Sequence, residues 1–386
     1  MRQAAKISAT TALFILALAA VIPMIPFKAR DLGADGALVG LLFSTFGAAA
    51  LVAAPFWGRI SDREGRRPVL AGSALISAVS YVLLGLADDL TTLFAARLIA
   101  GLGFGWVPAA QALASDIAPS GKRAAAIGLV GAAFGVGFSI GPGIQTLAEM
   151  GGYSLDAVAF TAAAFCVAAL VSVPILPAGR QPQAHRPSIW HVLPRAGAKL
   201  LAIHILVFMA FTGVEATLAL FLADELGFDA GDVGALLVVA GIANAGIQGG
   251  LVGKLVPRIG EVRTAMLGHL CLAVGALAIV AAGLFEQGWA IYPAMVCFTG
   301  GLGLHAPSLQ TALARLAGEN GRGVALGAAQ SAATGARVVG PAIAGALYAG
   351  PGHAAPLLMA AVLACCAALV GTMTVLPREE PASSPA

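Results

Sequence analysis

The sequence predicts an all-α membrane protein with twelve transmembrane helices in two six-helix bundles related by a parallel internal repeat. Three observations carry this. Charged residues make up 11% of the chain and apolar residues 59%, against about 25% charged in a soluble protein, so a globule could not cover its surface with them. Glycine supplies 49 of the 386 residues, an excess that suits helices packed closely in lipid. Apolar runs of membrane-spanning length recur along the chain, and their landmarks repeat at a nearly constant offset. A chain this apolar, with no glycine period and a net charge of only +3, is not disordered, collagen-like or nucleic-acid-binding.

A bilayer core of about 30 Å takes about 20 apolar residues per helix. The runs fall at 8–27, 37–57, 68–87, 90–114, 123–148, 155–177, 199–222, 233–253, 264–284, 289–313, 323–348 and 354–376. The first follows Arg2 and Lys6 and has the layout of a signal peptide, but eleven further spans favour an uncleaved helix. Alternate loops hold 18 of the 22 basic residues, which places both termini on the cytoplasmic side. The opposite loops are acidic, with Asp31, Asp35, Asp88, Asp89, Glu149, Asp156, Asp224, Glu225, Asp229, Asp232 and Glu286.

The halves repeat. Arg123, Gly128, Gly141 and Pro142 recur 199 residues later as Arg322, Gly327, Gly340 and Pro341. Gly101, Pro108 and Gln111 recur at the same offset as Gly300, Pro307 and Gln310. Leu32–Gly40 recurs as Leu226–Gly234, and Gly58, Arg63 and Gly65 recur as Gly253, Arg258 and Gly260. Six spans per half orient both halves alike. The expected division is a bundle over 1–177, a basic, proline-containing cytoplasmic linker over 178–198 with an interfacial segment around Trp190, and a bundle over 199–386. Such an architecture suggests a secondary transporter that rocks about a cavity between its halves.

Charges inside apolar spans are costly and mark functional candidates. Glu215 is the one acid placed within a span, and its carboxyl could carry a proton or bind a cationic substrate; a structural pairing with Arg337 is the alternative. Arg97 and Arg337 also fall within spans, with Arg97 expected either to act in coupling or to snorkel to the interface. Glu215, Arg337 and His305 are expected to converge, whereas His204 and His269 are expected near the interface. Gln111, Asn244, Gln248 and Gln310 are weaker candidates, since amides in spans commonly bridge helices. The five cysteines lie in apolar runs without a CxxC and read as small buried hydrophobes. With no G-x4-G-K-[ST], no HExxH and no paired-cysteine spacing, the sequence offers no catalytic residues, no metal site and no ATP-driven pump.

The loop after the second span reads GRISDREGRR, Gly58–Arg67. Gly58, Asp62, Arg63, Gly65, Arg66 and Arg67 resemble the major facilitator superfamily pattern G-x-x-x-D-R-x-G-R-R. The resemblance implies that Asp62 holds an inner gate shut by facing a helix N-terminus, near Gly321–Val324, and that Arg66 pairs with Asp116. The second copy has Pro257 in place of the Asp. Gly128, Gly137, Gly141 and Pro142 resemble the antiporter pattern of the fifth span, with Gln145 and Thr146 replacing its final glycines. RLIAGLGFG, Arg97–Gly105, resembles the fourth-span motif whose Arg is tied to proton coupling. Across essentially the whole chain the sequence is similar to the twelve-helix drug:proton antiporters, including the tetracycline-efflux branch, although the acids that branch carries in helices one, three and nine are missing. The resemblance implies a cofactor-free exporter of small amphipathic or cationic compounds driven by the proton gradient. It further implies a monomer with lipid, protons and a small molecule as its partners, in a bacterial inner membrane. A proton symporter or uniporter importing a metabolite is the second reading, and a non-transporting sensor or scaffold the third.

Overall fold

The computed structural model describes residues 2–119, 122–179 and 195–373, and all regular structure among them is helical. Trp190, most of the linker and Arg378 lie outside the described residues. The first half holds α1 (Arg2–Val21), α2 (Met24–Asp31), α3 (Gly36–Arg63), α4 (Arg66–Gly85), α5 (Leu90–Leu102), α6 (Trp106–Ile117), α7 (Arg123–Ile140), α8 (Gly143–Met150) and α9 (Leu155–Ser172). The second holds α10 (Arg195–Leu226), α11 (Ala230–Gly246), α12 (Val252–Ile259), α13 (Glu261–Leu284), α14 (Ile291–Ala349) and α15 (Ala355–Thr372).

Among the described residues, ten helical segments are long and apolar enough, by length and composition, to cross a membrane, and α14 is not one of them. The fifty-nine residues of α14 would extend about 90 Å if straight, about three bilayer cores. Gly318, at φ 65°, breaks the run, so its two arms supply the tenth and eleventh spans. The helices overshoot the predicted spans at the basic loops. For example, α3 continues to Arg63, and the turn comes only at Gly65, φ 94°.

Four spans are composite, for identifiable reasons. Pro23 separates α1 from α2, and Gly141-Pro142 separates α7 from α8. Span four breaks at Gly103 and Gly105. A Cβ at Gly105 would lie 2.7 Å from the Trp57 ring, and the Trp57 indole N–H donates 2.8 Å to the Leu102 carbonyl that the break frees. In span eight a π-helical turn, Ile247–Leu251, joins α11 to α12.

Several acids of the acidic face are helix caps. Asp35 accepts from the Leu38 N–H at 2.8 Å, Asp89 from Thr92 N–H at 2.8 Å, and Asp229 forms a capping box with Asp232. The bonds from Thr92 hold the Asp89 carboxyl below its ordinary pKa. Asp35 and Asp229 are repeat mates, and the glycines two residues before them, Gly33 and Gly227, both have positive φ.

The halves touch on the acidic face and part on the basic face. A Cβ at Gly40 would lie 2.3 Å from the Pro341 carbonyl oxygen, one at Gly47 2.7 Å from that of Arg337, and one at Gly234 2.6 Å from that of Pro142. Arg30 makes a two-pronged pair with Asp224, 2.8 Å on each prong. The Tyr348 hydroxyl donates to the same carboxylate, and His353 bonds Glu225 at 2.7 Å. On the basic side, Cβ atoms at Gly58, Gly128, Gly131, Gly249, Gly253, Gly323 and Gly327 would meet nothing within 4 Å. The chain is therefore closed on its acidic face and open on its basic face.

Candidate functional site

A cavity lies where the two halves meet, beneath the acidic-face seal. Ile22, Pro23, Phe138 and Pro142 wall it from the first half, at the kinks of spans one and five. From α10 come Phe211, Val214, Glu215, Leu218 and Ala219, and from α11 Leu237, Ala240, Gly241 and Asn244. The first arm of α14 adds Met295, Phe298 and Thr299. Helical spacing explains the α10 wall, because positions 211, 215 and 218 fall on one face. Phe211 and Phe298 stack with centroids 5.8 Å apart.

Glu215 is the one carboxylate lining this cavity. Its side chain is 10% exposed, and Arg337, from the second arm of α14, donates to it at 3.1 Å. Gly340 lets Arg337's helix come close to α10, since a Cβ there would sit 2.7 Å from the Met209 carbonyl oxygen. Rather than snorkelling, Arg97 is 5% exposed, with its guanidinium 4.7 Å from the Phe46 ring centroid and 5.4 Å from that of Phe43. The wall thus presents an apolar, aromatic surface with one ion-paired carboxylate on it.

The other predicted residues are distributed as follows. Asn244 lines the cavity, with its carbonyl oxygen buried and unpartnered. Gln248 falls in the π-helical turn, Gln111 is half-buried on α6, and Gln310 is exposed. His305 does not join Glu215 and Arg337; it bonds His204 and His269 inside the second half. The interfacial placement of His204 and His269 is corrected as well, since each is 1% exposed. In the loop motif, the Arg66 Nε–H donates to Asp116 at 3.1 Å, a second nitrogen reaches Asp62 at 3.4 Å, and Arg67 donates to the Leu176 carbonyl. Arg63 closes α3, Gly65 supplies the turn, and Gly58 faces open space. Gly137 and Gly141 seat α7 against α1, where Cβ atoms would lie 2.9 Å from the Ala12 carbonyl oxygen and 2.6 Å from the Ala19 side chain. Pro142 and Pro341 lie at the two inter-half contacts described above.

Phe138, Phe211, Phe298 and Thr299 were not among the sequence candidates. Phe211 was accessible, four residues before Glu215 on one helical face. Phe138 and Phe298 come from other spans, and no local signal orients them toward Glu215.

A sequence model described as Major Facilitator Superfamily matches residues 7–341. Multidrug resistance protein 2 of Bacillus subtilis (strain 168) is 28% identical over 348 residues, covering 86% of this chain and 85% of its own. Tetracycline resistance protein, class C, of Escherichia coli is 29% identical over 354 residues, covering 88% of each. Among solved structures, the nucleoside transporter NupG superposes with a TM-score of 0.76 at 13% identity, covering 97% of this chain and 99% of its own. The human organic anion transporter MFSD10 gives 0.69 at 20% identity, covering 96% and 99%. At these identities the superpositions establish the fold.

Proposed function

The chain belongs to the Major Facilitator Superfamily, and from that premise we propose that this multi-pass membrane transporter is a proton-coupled exporter of small amphipathic or cationic compounds. The observation that carries the proposal is the Glu215–Arg337 pair on the wall of an apolar, phenylalanine-bearing cavity between the halves. An amphipathic cation places its apolar body against Phe138, Phe211 and Phe298 and its charge at Glu215, displacing Arg337. A proton does the same to the carboxylate without filling the cavity. Because one carboxylate cannot hold both, cation and proton exchange in opposite directions. No cofactor takes part, since the gradient supplies the energy.

The working unit is a monomer of two bundles, 1–177 and 199–386, joined by the linker 178–198, in a bacterial inner membrane with both termini cytoplasmic. On that orientation the closed acidic face is outer, and the structure is an inward-open state. In the outward-open state the halves part at Gly40–Pro341 and Arg30–Asp224, and the basic-face end of α3 closes on the start of the second arm of α14, with Asp62 toward Gly321–Val324. The relatives' names, a multidrug resistance protein and a tetracycline resistance protein, favour this reading. Everted vesicles with an acid-inside gradient test it. Ethidium, an amphipathic cation, is expected to accumulate inside the wild type and to discharge part of the gradient, while Glu215→Gln abolishes both. Accumulation of a solute out of such vesicles, moving with protons, would establish the importing alternative instead.

A further inference from the structure

Away from the cavity, three histidines of the second half form a continuous chain. His204 comes from α10, His305 from α14 and His269 from α13; they are 1%, 0% and 1% exposed. His305 Nε2 lies 3.0 Å from His204 Nδ1, and His305 Nδ1 lies 2.9 Å from His269 Nε2. None of the three lines the cavity at Glu215. Phe208 covers the His204 end, with ring centroids 4.6 Å apart. At the other end His269 Nδ1 is buried without a partner. His269 also borders a separate small cavity, whose wall includes Glu261 and exposes only apolar surface.

Counting protons shows what this arrangement does. A neutral imidazole has one N–H and one bare nitrogen, so three neutral rings bring three protons to six nitrogens. Two protons sit in the two links and the third at one end, leaving the opposite end bare. A fourth proton fills the bare end and breaks no link. Shifting a link proton across its gap then places the cation on His204, His305 or His269 in turn. Charge shared over three rings is less costly to bury than charge held on one. A metal ion does not suit the site, because the facing nitrogens pair off along a line and do not converge on one point.

We propose that His204, His305 and His269 form a single one-proton site distinct from Glu215, which takes its fourth proton at the unpartnered His269 Nδ1. The proton passes from hydronium to His269 Nδ1, leaving water, and the two link protons shift inward as the charge spreads. Toward the basic face the packed helices carry Glu261 and Arg263 at the start of α13, Arg315 and Arg322 on α14 and Lys199 on α10, while Glu215, Asp224 and Glu225 on α10 and Arg337 on α14 lie farther toward the acidic face. Glu261 pairs with Arg315 at 3.4 Å, and Lys199 donates to the Met373 carbonyl. Of these groups, only Glu261 lines the small cavity with His269. Cys297 bonds the Cys271 carbonyl, and α15 carries no charged side chain.

The test is nitrogen NMR of the full chain in lipid nanodiscs, labelled with 15N-histidine and carrying His185→Gln, His191→Gln and His353→Gln, so that only the triad is observed. On lowering the pH from 8 to about 4, the three rings are expected to change together in one step that takes up one proton per protein. Separate steps summing to more than one proton, or three rings that stay neutral throughout while the protein remains folded, would overturn the proposal. His305→Phe keeps a ring but breaks both links. It is expected to abolish the shared step, and an unchanged step in that variant would equally overturn the proposal. Glu215→Gln is expected to leave the step intact, so the triad and the exchange at Glu215 stand or fall separately.

Discussion

At Glu215, the chain sets a carboxylate 3.1 Å from Arg337 on a wall that is otherwise mostly apolar. Breaking one side of a buried pair strands the other charge, at a cost of about 3–5 kcal/mol when both are fully buried. Arg337 is 29% exposed, so solvent screening lowers that to about 1–3 kcal/mol. Arg337→Gln is accordingly expected to lower the thermal midpoint measurably and to bind ethidium more tightly, since the cation no longer competes with a guanidinium. A thermal scan with and without the dye checks both. Glu215 and Arg337 were legible in the sequence as isolated charges in apolar runs. The expectation that His305 joins them failed on depth. His305 is level with His204, which lies eleven residues before Glu215 on α10, about 16 Å along the helix axis, and a one-dimensional pattern does not set the relative depth of antiparallel helices.

Repeats in the sequence become repeated joints at the scale of elements. Gly65 and Gly260, repeat mates, both take positive φ and start α4 and α13. The ion pair beside each joint is also duplicated, with its signs exchanged. Arg66 pairs with Asp116 in the first half, while at offsets of 195 and 199 Glu261 pairs with Arg315 in the second. The loss of the Asp at Pro257 thus left this brace in place. If the brace matters for its pairing, Glu261→Arg and Arg315→Glu should each reduce transport several-fold, and the double variant should recover most of it, a coupling that a double-mutant cycle measures directly. Spans and loop motif were readable because hydropathy and turn glycines are local signals. The 59-residue run of α14 was not, because the loop expected between its two spans stays helical on either side of Gly318.

Taken whole, the molecule is a pair of bundles whose contact is asymmetric. Glycines let backbones meet along the acidic face, and the matching glycines of the basic face stand open. Gly40 is the tightest point of that seal, with the Pro341 oxygen 2.3 Å from its would-be Cβ. Gly40→Val forces backbone from backbone and is expected to disfavour this state. Transport should fall at least tenfold, and a cysteine placed at Ala219, on the cavity wall, should label faster with a membrane-impermeant thiol reagent added from the acidic side. Unchanged labelling would mean that the seal is not the gate.

The exchange itself is most directly tested on purified protein in weakly buffered detergent with a pH indicator. Ethidium added to the wild type at a pH acid enough that a proton has already replaced Arg337 at Glu215 should release protons with the same concentration dependence as its binding, and Glu215→Gln should bind the dye weakly and release none. Proton release from Glu215→Gln equal to that of the wild type would contradict the account.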